Sequence, residues 1–185
     1  LGAARFGLLG GVADLGKLEL LQTQTISSAT ANFTSLDVST YNVHLFTLSD
    51  LVVTTQTEFG LRVSDDGGSS YETSNYQFAN QRGYASGTFA ERKSTSQGSI
   101  RLGGDVTTDT NSVFNGYFYM YNAGDSSKYT FFTSHNTFAQ GSTYTMEFGS
   151  GVYSVASTIN AIQIGQGILN AFSSGTISAY GIAES

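Results

Sequence analysis

The chain of 185 residues contains no cysteine, no proline and no tryptophan. Without cysteine it can build neither a disulfide framework nor a thiolate metal site, so its stability must come from packing or assembly. Charged residues are scarce as well, at 12% of the chain, and the formal net charge is −6. Phosphate binding needs a basic face, so nucleic acid is not an expected partner. No apolar run reaches the roughly 18 residues that a membrane helix requires, so no membrane span is expected.

Aromatic and small residues are abundant instead. The chain has 11 Tyr, 13 Phe and 22 Gly, and Tyr, Phe and Thr favour the pleated, half-buried surface of a strand. Strand-like runs alternate with turn signals, the strongest of which is the sequence DDGG at residues 65–68. The runs cover residues 17–26, 41–54, 57–64, 76–80, 99–102, 112–121, 128–134, 142–148, 158–164 and 175–182. We interpret residues 86–96 as a long loop. About nine or ten short strands without a required helix predict an all-β fold, an antiparallel β-sandwich that is jelly-roll-like.

Residues 1–16 differ from everything that follows. This segment reads LGAARFGLLGGVADLG, with five glycines and no strand-like alternation. The glycines disfavour a helix, and an apolar segment that cannot fold alone packs on its own domain or on a partner subunit. We therefore predict an N-terminal docking arm at residues 1–16 and a β-sandwich domain at residues 17–185. The side chains expected to dock on a partner are Leu1, Arg5, Phe6, Leu8 and Leu9.

Candidate metal ligands are few and scattered. The two histidines, His44 and His135, each lie inside a strand-like run, where a structural role is the simplest interpretation. The turn aspartates are Asp65, Asp66, Asp105 and Asp109. They lack the alternating acidic spacing of an EF-hand loop, and turn formation explains them without calcium. We therefore expect no metal site and no cofactor.

Candidate catalytic residues are equally sparse. The sequence has no G-x-S-x-G elbow and no phosphate-binding loop. Glu58 and Glu147 lie in predicted strands and form the only plausible carboxylate pair for a glycosidase of jelly-roll type. Both also fit a solvated strand face, which is the interpretation we favour, and the adjacent Arg92 and Lys93 fit a solvated loop. The chain is therefore predicted not to be an enzyme.

The run SVFNGYFYMY at residues 112–121 carries aromatic residues on both faces of one strand. Tyr117, Tyr119 and Tyr121 share one face, while Phe114, Phe118 and Met120 share the other. One face must belong to the core. The tyrosine face has three possible roles: a second core, an interface between subunits, or a platform for glycan, which binds to exposed aromatic faces.

Several longer segments carry a resemblance to a known class of proteins. In chain order they are LGAARFGLLGG, ADLGKLELLQTQT, YNVHLFTLSDL, YQFANQR, YNAGDSSKYTFFTSH, MEFGSGVYSVASTINAIQI and ISAYGI. Together they resemble small virion structural proteins of tailed bacteriophages, especially marine and cyanobacterial phages, which include capsid decoration proteins and tail-fibre modules built as β-sandwiches. The resemblance spans nearly the whole chain and implies no catalytic residue.

The sequence therefore predicts a non-enzymatic virion protein on the outside of the particle. The first expectation is a capsid decoration or cement protein that forms symmetric homo-oligomers, binds other virion proteins and docks through its N-terminal arm. The alternative is a trimeric tail-fibre module that recognises host-surface glycan through its aromatic strands. The third possibility, a glycosidase that acts through Glu58 and Glu147, is the least favoured.

Overall fold

The computed structural model describes residues 17–165 and 172–183. Every regular element within these ranges is a β-strand, which confirms the predicted all-β sandwich. The strands are β1 (Leu18–Thr25), β2 (Ala31–Phe33), β3 (Val43–Val53), β4 (Thr57–Ser64), β5 (Tyr76–Tyr84), β6 (Phe89–Gln97), β7 (Ile100–Val106), β8 (Phe114–Tyr121), β9 (Thr130–Gln140), β10 (Thr143–Tyr153), β11 (Ala161–Ile164) and β12 (Phe172–Ile182). In this part of the chain no helix is long and apolar enough to cross a membrane.

The strands form two antiparallel sheets. The large sheet has eight strands in the order β1-β12-β3-β8-β9-β10-β5-β6, and the small sheet has four in the order β2-β11-β4-β7. The first half of the large sheet, β1-β12-β3-β8, and the whole small sheet together give the strand order of a jelly roll. The other four strands are two hairpins, β5–β6 and β9–β10, which extend the large sheet beyond β8.

One of these additional strands corrects a prediction. Residues 86–96 are not a long loop, because most of them belong to β6, which pairs with β5 and is an edge strand of the sheet formed by the described residues. Its sequence, FAERKSTSQ, has no apolar alternation because neither face is fully buried. Charged side chains on an edge strand also hinder pairing with other chains. The short strand β2 was likewise absent from the prediction.

The core lies between the two sheets and is rich in phenylalanine. Phe46 of β3 stacks on Phe118 of β8 with ring centroids 4.5 Å apart, and Phe59 of β4 meets Phe114 edge-on at 4.1 Å. All four rings are fully buried. Each buried ring of this size contributes roughly 1.5–3 kcal/mol, so the jelly-roll half is held mainly by apolar packing.

A different kind of contact joins the sheets where the additional hairpins lie. Strand β7 of the small sheet packs against β5, β9 and β10. The buried Asn136 of β9 donates from Nδ2 to the carbonyl oxygen of Leu102 at 2.9 Å. The buried Asn80 of β5 donates to the carbonyl oxygen of Arg101 at 3.1 Å. Side-chain amides of the large sheet thus bind the backbone of β7, beside buried apolar side chains of the same strands such as Leu102 and Phe138.

Candidate functional site

The outer face of the large sheet exposes a group of aromatic side chains. In β8, Phe114, Phe118 and Met120 point into the core, while Tyr117, Tyr119 and Tyr121 point outward. The alternation of one strand places these sets on opposite faces, as the sequence indicates. What the sequence of β8 does not reveal is which residues of the neighbouring strands lie beside the tyrosines.

Register brings further rings to the same face. Tyr117 pairs with His135 of β9, which pairs with Phe148 of β10, and Tyr121 pairs with Phe131 of β9. We call the aromatic face the set formed by Tyr117, Tyr119, Tyr121, Phe131, His135, Met146 and Phe148. An unbroken series of five rings runs from Tyr121 through Tyr119, Tyr117 and His135 to Phe148, with neighbouring centroids 5.9–6.1 Å apart.

Strand β10 has its apolar side outward, which is the reverse of an ordinary sandwich strand. Tyr144, Met146 and Phe148 are exposed, whereas Thr145 and Glu147 are buried. Exposing three large apolar side chains and burying a carboxylate both cost free energy. These two unfavourable features indicate that the exposed rings belong to an interaction site, because contiguous apolar patches on a protein surface mark such sites.

Beside the aromatic face lies a shallow trough. A depression of about 560 Å³ is lined by Gln77 and Ala79 of β5, Lys93 of β6, Phe131 of β9, and Ser150 and Val152 of β10, among others. A second depression of about 330 Å³ shares Ala79 and Lys93 with the first and adds Gln81, Glu91 and Phe148. A third of about 330 Å³ lies around Gly83 and Met146. We call this series of depressions, which follows β5 and β10, the trough.

The floor and walls of the trough differ in size and chemistry. Ala79 and Ser150 face each other across β5 and β10 and form a low floor. Phe131 and Phe148 rise beside it and are 47% and 42% exposed. On the far side Lys93 Nζ contacts Glu91 Oε2 at 2.6 Å. The hydrogen bond from Lys93 lowers the pKa of Glu91, so both groups are charged at neutral pH and cancel each other.

Behind the trough, the inward side chains of the same strands form a buried charge cluster. Arg82 donates from Nε and Nη2 to Glu147 Oε2 at 2.9 and 2.7 Å. Its Nη1 contacts Asp105 Oδ2 at 3.2 Å and Gln140 Oε1 at 3.1 Å. Asn80 donates to Glu147 Oε1 at 2.9 Å. The cluster joins β5, β9 and β10 of the large sheet to Asp105 in β7.

The electrostatics of this cluster are those of a structural ion pair. Burial disfavours the charged guanidinium of Arg82, but the carboxylate of Glu147 and the side chain of Tyr84 together outweigh this effect and hold the pKa of Arg82 above its ordinary value. Both side chains are essentially inaccessible to solvent. Burying two charges is favourable only when their geometry is good and their remaining hydrogen-bonding capacity is used, and the partners of Arg82 and Glu147 meet that condition.

The prediction of a solvated strand face is wrong for Glu147 and agrees with the structure for Glu58. Glu58 lies on an exposed position, but Glu147 is buried rather than on a solvated strand face. Arg101 lies between them, with Nη1 at 2.7 Å from Glu58 and Nε at 3.8 Å from Glu147. Both oxygens of Glu147 already accept hydrogen bonds from Arg82 or Asn80. The two carboxylates therefore share a guanidinium and do not face each other across a cleft.

The two histidines lie on opposite faces of the large sheet. His44 is buried and its Nε2 contacts the carbonyl oxygen of Leu36 at 2.6 Å, and desolvation lowers its pKa. His135 belongs to the exposed aromatic face. Among the described residues no group of three or more His, Asp or Glu is placed to hold a metal ion.

The turn aspartates organise loops. Asp66 accepts hydrogen bonds from the side chain and backbone of Ser70 and from Ser64, which together lower its pKa to about 2. Asp109 accepts from the backbone nitrogen of Asn111 and from Ser112. These contacts match the turn-forming role that the sequence suggests for Asp66 and Asp109. The prediction is wrong for Asp105, which lies in strand β7 and contacts Arg82.

Two remaining predictions concern basic residues and the arm. Arg92 and Lys93 lie in strand β6 and not in a solvated loop, so they face opposite sides of the sheet. Lys93 lines the trough, whereas Arg92 lies 3.9 Å from Asp105 of the buried cluster. The docking residues Leu1, Arg5, Phe6, Leu8 and Leu9 lie outside the described residues.

Sequence reasoning did not identify Phe131, Phe148 or Met146 as surface residues. The alternation of β10 suggests that Met146 and Phe148 are core residues, because they are apolar and their neighbours are polar. The sequence of β10 contains one sign of this reversal. If Met146 and Phe148 were core residues, the solvated face of the strand would carry a glutamate and two glycines, which is an unusual composition for a solvated face.

Comparison with known proteins adds no relative to these observations. A scan against protein-family models found no match, and searches of curated proteins and of solved structures found none either. The aromatic face and the trough are therefore the features on which a functional interpretation of this chain depends.

Proposed function

We propose that this chain is a non-enzymatic virion protein of a tailed bacteriophage that recognises host-surface glycan through its aromatic face. The observation that carries the proposal is the series of five outward-facing, exposed or half-buried rings across β8, β9 and β10, with neighbouring centroids 5.9–6.1 Å apart. Ring faces pack against the C–H groups of sugars, and tyrosine adds a hydroxyl for hydrogen bonding. The jelly-roll strand order adds support by analogy, since this fold recurs in viral capsid and lectin domains.

The assignment to a virion depends on sequence resemblance and on composition. Segments such as YNAGDSSKYTFFTSH and ISAYGI resemble tailed-phage structural proteins. A chain without cysteine must gain stability from packing or assembly, and a virion supplies assembly by symmetry. As in a tail fibre, the protein would act as a trimer, with the aromatic face of each copy accessible to the host surface.

Substituting a central ring tests the glycan role. We expect Tyr117→Ala to weaken binding to host cells, or to glycans captured on an array, by roughly tenfold because one stacking surface is lost. Tyr117 is 42% exposed, so the fold should survive the change. Leu20→Ala is the control, since Leu20 is 59% exposed in β1, the edge strand of the large sheet that lies three strands from β8.

The same pair of variants separates a glycan site from a subunit interface. Light scattering of both variants reports whether the oligomer dissociates. Unchanged glycan binding by Tyr117→Ala, together with loss of the oligomer, would assign the aromatic face to subunit contacts and overturn the proposal.

A second candidate function, capsid decoration through the N-terminal arm, is favoured by the edge strand that follows the arm. In β1, Leu18 and Leu20 are 47% and 59% exposed. They extend the apolar composition of residues 1–16 onto the edge of the sandwich. An exposed apolar edge strand that follows an apolar segment in the sequence suits a surface that another virion protein covers.

Deleting residues 1–16 tests this second role. We expect the truncated protein to keep its β-sheet circular dichroism, because the buried residues that the structure describes already form a hydrophobic core between the sheets. It should lose binding to particles that lack the native protein, measured by co-sedimentation. Particle binding equal to that of the full chain would exclude docking through the arm.

A further inference from the structure

The trough lies entirely on strands that the jelly roll does not require. Its lining residues belong to β5, β6, β9 and β10 or to their connections, which are the two hairpins added beyond β8. A jelly roll needs only the remaining eight strands. Because function resides in sites added to a common fold, these hairpins are where a specific ligand site is expected.

We infer that the trough is the principal glycan subsite and that it takes several consecutive units of an uncharged polysaccharide. This inference rests on the proposed glycan-binding function and specifies where the sugar lies and what class it belongs to. From Gln77 to Gly83 the trough follows six residue steps of β5, which corresponds to about 20 Å. That length exceeds a single sugar ring, so the ligand is a chain.

The walls offer the groups that sugar hydroxyls and ring faces require. Phe131 and Phe148 are exposed beside the floor and present apolar surface to sugar C–H groups. Gln77 and Gln81 belong to the lining, and each amide both donates and accepts hydrogen bonds. The floor of Ala79 and Ser150 is low enough for a ring to lie against the sheet.

The charge of the trough selects against polyanions. Among the described residues that line it, the charged side chains are Lys93 and Glu91, which are already paired at 2.6 Å. The whole chain carries a net charge of −6. A sulfated or uronic-acid polymer would find no free cation in the trough and would be repelled by the protein as a whole. An uncharged polymer needs no cation in the trough and is not repelled by the negative charge of the protein, and its binding is insensitive to salt.

The buried charge cluster makes the trough rigid before any ligand binds. Arg82 and Glu147 are directly paired across β5 and β10, the two strands that form the floor. Asn80 joins Glu147 to the backbone of β7 behind them. A site held in one geometry loses less entropy on binding, which favours a shallow trough that offers only weak individual contacts.

The test measures binding of the full chain to a panel of immobilised polysaccharides. The neutral members are dextran, mannan, galactan and xyloglucan, and the anionic members are alginate and dextran sulfate. We expect binding to one or more neutral polymers, with a change of less than about twofold between low and high salt. Phe131→Ala and Phe148→Ala should each weaken it by roughly tenfold, while Leu20→Ala, in the opposite edge strand β1, should leave it unchanged.

A second variant fills the trough without removing a contact. Ala79→Phe places a ring on the floor, at an exposed position where the fold tolerates it, and should abolish binding to the same neutral polymer. Urea unfolding of each variant verifies that the sandwich is intact.

The possible results separate this inference from the function on which it rests. Neutral-glycan binding that survives Phe131→Ala, Phe148→Ala and Ala79→Phe but is lost in Tyr117→Ala overturns the trough and leaves glycan recognition standing. A preference for alginate or dextran sulfate that declines steeply with salt overturns the charge class. Absence of binding to every polymer and to host cells overturns both.

Discussion

Replacing Glu147 with glutamine is expected to lower the free energy of unfolding by about 3–5 kcal/mol, as measured by urea denaturation. The substitution keeps the size of the side chain but removes the charge that faces Arg82 at 2.7 Å. Arg82 is fully buried, so its guanidinium would remain in a low-dielectric interior, where Asp105 at 3.2 Å is the remaining anionic partner among the described residues. The cost arises mainly from that uncompensated charge, not from one lost hydrogen bond.

A double variant distinguishes a paired charge from a merely buried residue. Because a buried ion pair replaced by apolar groups is often nearly neutral, we expect Arg82→Met with Glu147→Met to lose less stability than the sum of the two single variants. Glu91→Gln is the matched surface control, since it breaks an exposed pair with Lys93 and should leave the unfolding midpoint unchanged. Additive losses in the double variant would contradict the assignment of a coupled pair.

The cluster also connects stability to the proposed site. Glu147 points inward from β10, while its neighbours Met146 and Phe148 point outward into the aromatic face. The same strand therefore holds the interior together with its polar side and presents its apolar side to solvent. Loosening the Arg82–Glu147 pair should weaken glycan binding even though neither side chain can touch the ligand.

Sequence reasoning succeeds here wherever one strand face is apolar and buried. The alternation in β8 separates Phe118 and Met120 from Tyr117 and Tyr119 without any knowledge of the sheet. It also gives the fold class, because regular turn signals between short aromatic strands are typical of a sandwich. The strand pattern of the jelly-roll half was accessible for the same reason, apart from the short β2.

Sequence reasoning fails on the additional hairpins, where the local alternation of apolar and polar residues disagrees with the observed burial. The pattern of β10 predicts that Phe148 is buried and Glu147 is exposed, and the structure reverses both. Only register with β5, which places Arg82 opposite Glu147, explains why a carboxylate can be buried there. The register depends on pairing between residues that are far apart in the sequence, so a short stretch of sequence does not contain it. The interpretation of β6 as a loop is wrong for a similar reason. Such local disagreements are expected at functional sites.

Changing Gly116 to alanine should destabilise the protein by about 2–4 kcal/mol, although it adds a single methyl group. A Cβ at this position would lie 2.1 Å from Asn136 Oδ1 and 2.7 Å from the carbonyl oxygen of His135. Gly116 and Asn136 face each other across β8 and β9, and the glycine leaves the space that the asparagine amide occupies. Displacing that amide breaks its hydrogen bond to Leu102 and leaves buried polar groups unsatisfied.

A rescue and a control make the explanation specific to this pair. Shortening the asparagine with Asn136→Ala removes the closest contact, at 2.1 Å, and leaves the backbone contact at 2.7 Å to the carbonyl oxygen of His135. The double variant with Gly116→Ala should therefore be more stable than the two single losses predict. Gly141→Asn is the control, because Gly141 has a positive φ of 57° with open space around it, a conformation that asparagine tolerates. If Gly116→Ala lowered the free energy of unfolding as little as Gly141→Asn, β8 and β9 would have space for the added methyl group. The glycine–asparagine pairing would then not be what fixes β8, and with it Tyr117, against the neighbouring strand.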